Sequence, residues 1–215
     1  MKVLVIGANG QIGKQVVQLL QESDEHTVRA MVRDEAQAAA LQAKGVEAVV
    51  ADLEGSVDEF ATAMQGCDAV IFSAGSGGHT GPDKTLLVDL DGAVKSMEAA
   101  EKVGIHRYVM VSAIQAHNRE SWANSPIKPY MVAKHFADKS LMASNLNYTI
   151  VRPGALTNDT GTGRVSASEN LQRDSIPRED VAHTLIAVLN EENTFKRSFD
   201  LVAGETVISD ALKNL

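Results

Sequence analysis

Residues 1–21 read MKVLVIGANGQIGKQVVQLLQ: an apolar, β-branched run, then three glycines, then a helical stripe. The run has no charge after Lys2, which suits a strand covered on both faces inside a parallel sheet. Beyond the glycines, Ile12, Val16, Val17, Leu19 and Leu20 recur at helical spacing. The glycines therefore sit where a strand turns into a helix. Gly7 allows the sharp turn, Gly10 lets backbone N–H groups approach a pyrophosphate, and Gly13 lets the helix pack closely on the strand. The helix start then offers unpaired N–H groups and a partial positive charge to an anion. The spacing G-x-x-G-x-x-G is a dinucleotide fingerprint with its first gap widened by one. A mononucleotide loop of Walker type fits worse, because five residues separate Gly7 from Gly13 and Gln15 follows Lys14. On their own, the glycines read equally well as a plain turn.

The rest of the chain alternates in the same sense. Strand-like segments at 26–33, 46–52, 67–75, 105–113 and 148–154 are separated by helix-like segments at 34–45, 56–66, 83–104 and 128–145. The helix at 56 opens with Ser56 and Glu59 in capping-box spacing. This alternation predicts an α/β protein with a doubly wound parallel sheet of Rossmann type and right-handed crossovers. With no repeat, linker or low-complexity tract, residues 1–215 read as one domain. In such a sheet the ligand lies across the carboxyl ends of the strands, where the strand order reverses. Every candidate residue can be tested against that position.

Bulk properties narrow the function. The net charge is −8, which argues against a nucleic-acid surface, and no run of 18 apolar residues suggests a membrane span. The chain starts inside its first strand, so no signal peptide is expected, and the single Cys67 fits a reducing cytoplasm. Six histidines lack metal-ligand spacing, so no metal is expected.

The fingerprint predicts a cofactor selector about 20 residues further on: an acid for the ribose hydroxyl of NAD, or an arginine for the 2′-phosphate of NADP. Arg33 stands there, at the end of the second strand, and Asp34 is better placed as the N-cap of the next helix. NADP is expected over NAD, although Arg33 also reads as a solvated strand-end charge. Asp52 and Leu53 after the third strand suit an adenine edge. Ala74 and Gly75 after the fourth offer small residues where the ribose-pyrophosphate crosses.

Candidate chemistry lies in KPYMVAKHF, where Tyr130 and Lys134 share a helical face. A neighbouring cation lowers a phenol's pKa and makes tyrosine a usable proton donor or acceptor. Ser112 ends the fifth strand, so Ser, Tyr and Lys converge on one edge. The bland alternative is a surface lysine and a half-buried tyrosine on an amphipathic helix.

Taken together, GANGQIGK, VRAMVRD, DAVIFSAGS, RYVMVSA, YMVAKHFAD, TIVRPGALT, IPREDVAHTL and FDLVAGET cover nearly the whole chain. The pattern resembles the atypical branch of the short-chain dehydrogenase/reductase superfamily, whose glycine motif is like that of NAD(P)-dependent epimerases and dehydratases. The resemblance implies a Rossmann fold, with Gly7, Asn9, Gly10, Gln11, Ile12 and Gly13 holding NAD(P). It also implies a Ser-Tyr-Lys proton relay, and Arg152, Pro153 and Gly154 beside the nicotinamide carboxamide. Three departures follow. VSA at 111–113 leaves open whether Ser112 or the Ala113 position faces the substrate. Asp89 stands where relatives carry an active-site Asn. Only 64 residues follow Val151, so residues 152–215 are expected to add a small substrate-side portion rather than a second domain.

Substrate contacts are expected from three irregular stretches. These are the glycine-rich 73–84, with His79 as a second proton donor or a solvated loop residue; 115–126, with Trp122 stacking on a ligand or plugging the core; and 155–175. The leading expectation is an NADP-dependent oxidoreductase, or an epimerase using bound cofactor, acting on a small carbonyl, hydroxyl or quinone-like substrate. Tyr130 is its acid/base, Lys134 its ribose ligand and Ser112 its oxygen-orienting group, with Asp89 modulating them. The alternatives are a non-catalytic NADP-binding redox sensor and a flavin or quinone reductase using direct hydride transfer. A monomer or homodimer is expected.

Overall fold

The computed structural model describes residues 1–78 and 80–215. Strand β1 (Lys2–Ile6) leads into helix α1 (Gln11–Gln21), β2 (Thr27–Val32) into α2 (Glu35–Gln42), and β3 (Glu47–Val50) into α3 (Val57–Met64). After β4 (Ala69–Phe72) come the single turn α4 (Pro82–Lys84), a π-helical segment Thr85–Gly92 and α5 (Ala93–Lys102). β5 (Arg107–Val111) is followed by a 3-10 turn, Arg119–Trp122, and α6 (Lys128–Ala143). The chain continues through β6 (Asn147–Pro153), β7 (Ala155–Thr157), β8 (Arg164–Ser168), β9 (Ser175–Pro177) and α7 (Arg178–Ala187). It ends with β10 (Arg197–Ala203), β11 (Thr206–Val207) and α8 (Ile208–Lys213).

The main sheet has the order β11-β8-β10-β6-β5-β4-β1-β2-β3. From β3 across to β10 every pairing is parallel, and β8 and β11 close that edge antiparallel. The order reverses between β1 and β4, which sets a crevice at their carboxyl ends. This is the Rossmann-type α/β fold in a single domain. Alternation along β1 explains its two-sided burial. Val3 and Val5 enter the core shared with α1 and α7, while Leu4 and Ile6 enter the core shared with α3, α5 and α6. Among the described residues, no helix is long and apolar enough to cross a membrane.

Two features depart from the sequence expectations. The helix expected over 83–104 is π-helical in its middle, and this wider turn carries Asp89 inward to 1% exposure. The loop expected over 155–175 contains β7 and β8, and β10 supplies a seventh parallel strand. In β8 only Val165 is buried, so its alternation is too weak to show as a strand in sequence. β10 joins the sheet and α7 packs against α1, so much of 152–215 completes the sandwich as well as flanking the substrate side.

Candidate functional site

The cofactor residues expected from the sequence gather at the carboxyl ends of the strands and the starts of the elements that follow, except Lys134, which lies within α6. Gly7 leaves β1 at φ +84°, and a Cβ there would stand 2.7 Å from the Ala74 backbone leaving β4. A Cβ on Gly13 would come within 2.1 Å of the Gly7 carbonyl oxygen. No side chain fits at either position without moving backbone. Gly10 is the N-cap of α1 without a side-chain cap, and no acid occupies the first turn. The amides of Gln11, Ile12 and Gly13 therefore form an uncapped, positively polarised helix end. Ile12 is buried in the core, so it can offer a ligand only its amide, whereas Asn9 and Gln11 are exposed. Nothing in this cradle opposes a pyrophosphate.

Arg33 follows β2 with its side chain 79% exposed, and the Asp34 carboxylate is 4.0 Å away. Asp34 itself caps α2 by accepting from the Gln37 amide at 2.9 Å. Asp52, beyond β3, accepts from the Glu54 amide at 2.9 Å, and Leu53 is half-buried beside it. Gly75 lies against the Asp89 carboxylate. Pro153 accepts from the Ile114 amide at 3.0 Å, and Gly154 leaves β6 in a close approach to the Asp174 carbonyl.

At the other end of the crevice, α6 projects Tyr130 and Lys134 one turn apart. Lys134 is buried, with Nζ 3.4 Å from Asp89 Oδ1, 3.3 Å from the Val111 carbonyl and 5.6 Å from the centre of the Tyr130 ring. Asp89 also accepts from the Ser76 amide at 3.0 Å, tying the glycine-rich loop to the same carboxylate. Burial works against the Lys134 charge, but Tyr130, Asp89 and Asp138 together hold the ammonium above the ordinary lysine range. The phenol does not follow the simple expectation that Lys134 lowers it. Burial pushes Tyr130 up and outweighs Lys134, and Asp89 and Asp138 push in the same direction as burial. Half-buried Tyr130 is thus held protonated.

Ser112 is 3% exposed and turns beneath α6 beside Asp138, with no hydrogen bond of regular geometry to its hydroxyl. Ala113 is half-buried and packs with Tyr130 and Val132 on Ala116, Trp122 and Met131. The structure thus brings Tyr130, Lys134 and Asp89 together, whereas Ser112 joins the interior and Ala113 occupies the Tyr130 side. Arg152 departs from the role implied by resemblance: its guanidinium is buried against Asp138, Nε to Oδ2 at 2.8 Å, rather than facing out beside a carboxamide.

On the substrate side, Trp122 is a plug: it is buried, donates from Nε1 to the Ala116 carbonyl at 3.3 Å and lies tilted against His135. Loops 115–126 and 155–175 are tied together. Gln115 donates to the Leu171 carbonyl, His117 meets Asn170, and Arg173 reaches Ser121. Fully buried Asp200 accepts both the Gln115 amide at 3.0 Å and the Leu171 amide at 3.1 Å. His79 lies outside the described residues. Among those described, no group of three or more His, Cys, Asp or Glu side chains is arranged to hold a metal ion.

The sequence reading missed Asp138 and Asp200. Asp138 continues the Tyr130–Lys134 stripe by one further turn, a signal that was available. Asp200 is an acid inside the apolar run of a buried strand, and such an acid marks a carboxylate with internal partners.

A family model described as NAD(P)H-binding matches residues 7–192. The chain belongs to this NAD(P)H-binding family. It is 62% identical over its whole length, and the whole length of the relative, to a Bacillus subtilis protein described as the uncharacterized sugar epimerase YhfK. It superposes on a putative NAD-dependent epimerase/dehydratase from Bacillus halodurans with TM-score 0.93, at 40% identity and full coverage of both chains. It superposes on the oxidoreductase ylbE from Lactococcus lactis with TM-score 0.91, at 35% identity, covering 100% of this chain and 96% of that one. The chain shares its Rossmann-type fold with both of these solved structures over nearly their whole length.

Proposed function

We propose that this protein is an NADP-dependent reductase of small carbonyl compounds, with Tyr130 as proton donor. The observation that carries this reading is the buried Lys134 ammonium one helical turn from a Tyr130 phenol held protonated at the carboxyl edge of the sheet. A group kept protonated at neutral pH serves as an acid, which favours the direction in which a carbonyl oxygen gains a proton.

When bound, the nicotinamide would supply the hydride. Gly7, Gly10 and Gly13 admit the pyrophosphate to the α1 amides, and Arg33 meets the 2′-phosphate. Lys134 hydrogen-bonds ribose hydroxyls and stabilises the tyrosinate left when Tyr130 gives up its proton. Asp89 holds Lys134 in place. We assign Ser112 to the interior network rather than to the reacting oxygen, so Tyr130 supplies the hydroxyl there. Half-buried Ala113 is the apolar neighbour of the phenol, over buried Met131 and Trp122.

Two measurements test this reading. Replacing Arg33 with Asp should exchange the cofactor preference from NADPH to NADH, by about 1–3 kcal/mol for a charge-assisted contact on a phosphate lost and an acid gained. Isothermal titration with both cofactors reads it, and an unchanged ratio removes Arg33 as the selector. A panel of small ketones, aldehydes and quinones is then assayed for NADPH oxidation. Tight binding with no turnover on any member would favour a redox sensor instead.

A further inference from the structure

Tyr130, Lys134 and Asp138 stand at positions i, i+4 and i+8 of α6 and form one stripe along its buried side. The stripe does not end at the helix. From β6, Arg152 donates to Asp138 at 2.8 Å, with both side chains 3% exposed. From β5, Ser112 turns its hydroxyl toward the same carboxylate. From the π-helical segment, Asp89 meets Lys134. The charges alternate in order through the interior: Asp89 negative, Lys134 positive, Asp138 negative, Arg152 positive. A buried network of this kind is costly to assemble, since each charge must recover through its neighbours what it loses in hydration. Replacing Asp138 and Arg152 with apolar residues would give a helix–sheet contact at least as stable. Moreover, Asp138 Oδ1, Arg152 Nη2 and Ser112 Oγ each lack a regular hydrogen bond while buried. A purely structural pair would be expected to satisfy more of its donors and acceptors.

We propose that Asp138 and Arg152 are positioning residues for the chemistry at Tyr130: Arg152 anchors Asp138, and Asp138 joins Asp89 in supplying the negative charge that fixes the Lys134 ammonium beneath the phenol. This rests on the reading of Tyr130 as proton donor. The ionisable groups facing the phenol are Lys134 and Asp138 from α6 and Asp89 from the π-helical segment. Of these, Asp138 is held by a cation from the sheet. Burial pushes the Asp138 carboxyl up, while Arg152, Ser112 and Lys134 act against that rise. Losing Arg152 would remove the cation that opposes that rise most strongly.

The test reads the phenol itself and needs no substrate. In the full chain labelled with 13C at the tyrosine ring Cζ, the Tyr130 resonance is identified by its loss in Tyr130→Phe and titrated with pH. In the double variant Asp138→Asn with Arg152→Gln, which keeps the shapes and removes both charges, the Tyr130 midpoint should fall by about half a unit or more. Arg152→Lys alone, which keeps both charges, should leave the midpoint near the parent value. An unmoved midpoint in a folded double variant overturns the proposal. If the double variant fails to fold, the parent chain decides: the Asp138 carboxyl carbon should show a second titration step at the Tyr130 midpoint, and a single step overturns the proposal. A shifted midpoint alongside full turnover by Tyr130→Phe would instead leave the electrostatic link standing and remove Tyr130 as the donor.

Discussion

A Gly13→Ala protein should bind NADPH about 100-fold more weakly than the parent, a loss of roughly 2.7 kcal/mol. The added methyl would lie 2.1 Å from the Gly7 carbonyl oxygen, and backbone cannot yield as a side-chain tip can. Either α1 slides away from β1 or the loop between them rotates. Both displace the Gln11, Ile12 and Gly13 amides that would face the pyrophosphate. The same strain should cost about 1–3 kcal/mol of stability, a fall in Tm of roughly 2–12 °C for a chain of this size. Gly10→Ala is the control. Its Cβ would meet only the Gly7 carbonyl, at 3.1 Å, so its stability should change far less. Calorimetry and cofactor titration on both variants check the pair. Equal NADPH affinity in Gly13→Ala and the parent would show that the loop is only a turn.

Removing Lys134 should do two separable things. Lys134→Met leaves Asp89, 1% exposed, without its cation, and stranding a buried charge costs about 3–5 kcal/mol. Adding Asp89→Asn to Lys134→Met should recover most of the stability at neutral pH. Turnover should not return, since the ribose ligand and the stabiliser of the tyrosinate are still missing. Denaturant melts and NADPH oxidation by both variants check this. Recovered turnover in the double variant would reduce Lys134 and Asp89 to a structural pair.

How much of this was legible in the sequence differs from part to part. The parallel core was plain, because β1, β4 and β5 are apolar on both faces and each is bounded by turn or cap residues. The glycine cradle was legible because its spacing answers to backbone geometry that only glycine supplies. Tyr130 and Lys134 were legible as a helical pair, but the state of the phenol was not: it depends on Asp138, one turn on, and on Asp89, which arrives from a different element. The π-helical turn that delivers Asp89 has no local signature in TLLVDLDG. Ser112 was legible at its strand end, while the choice between it and the Ala113 position stayed open. Whether a strand-end residue points into the cleft or under a helix is set by the parity of the strand, and here Ser112 shares the face of Met110. β8 stayed hidden because a short strand with one buried residue carries almost no hydrophobic period.

The central claim is that Tyr130 gives its proton to the substrate in an NADPH-linked reduction, and single-turnover NADPH oxidation by Tyr130→Phe tests it most directly. Once a member of the carbonyl panel turns over with the parent chain, the variant should bind NADPH within a few-fold of the parent. Its oxidation rate should be lower by about 100- to 10,000-fold, the range for loss of a positioned general acid. In the parent, the rate should hold through neutral pH and decline only above the ordinary tyrosine range, because burial and the two carboxylates hold the phenol protonated. An undiminished rate in Tyr130→Phe, at parental NADPH affinity, would contradict the account and assign the chemistry to direct hydride transfer without a tyrosine donor.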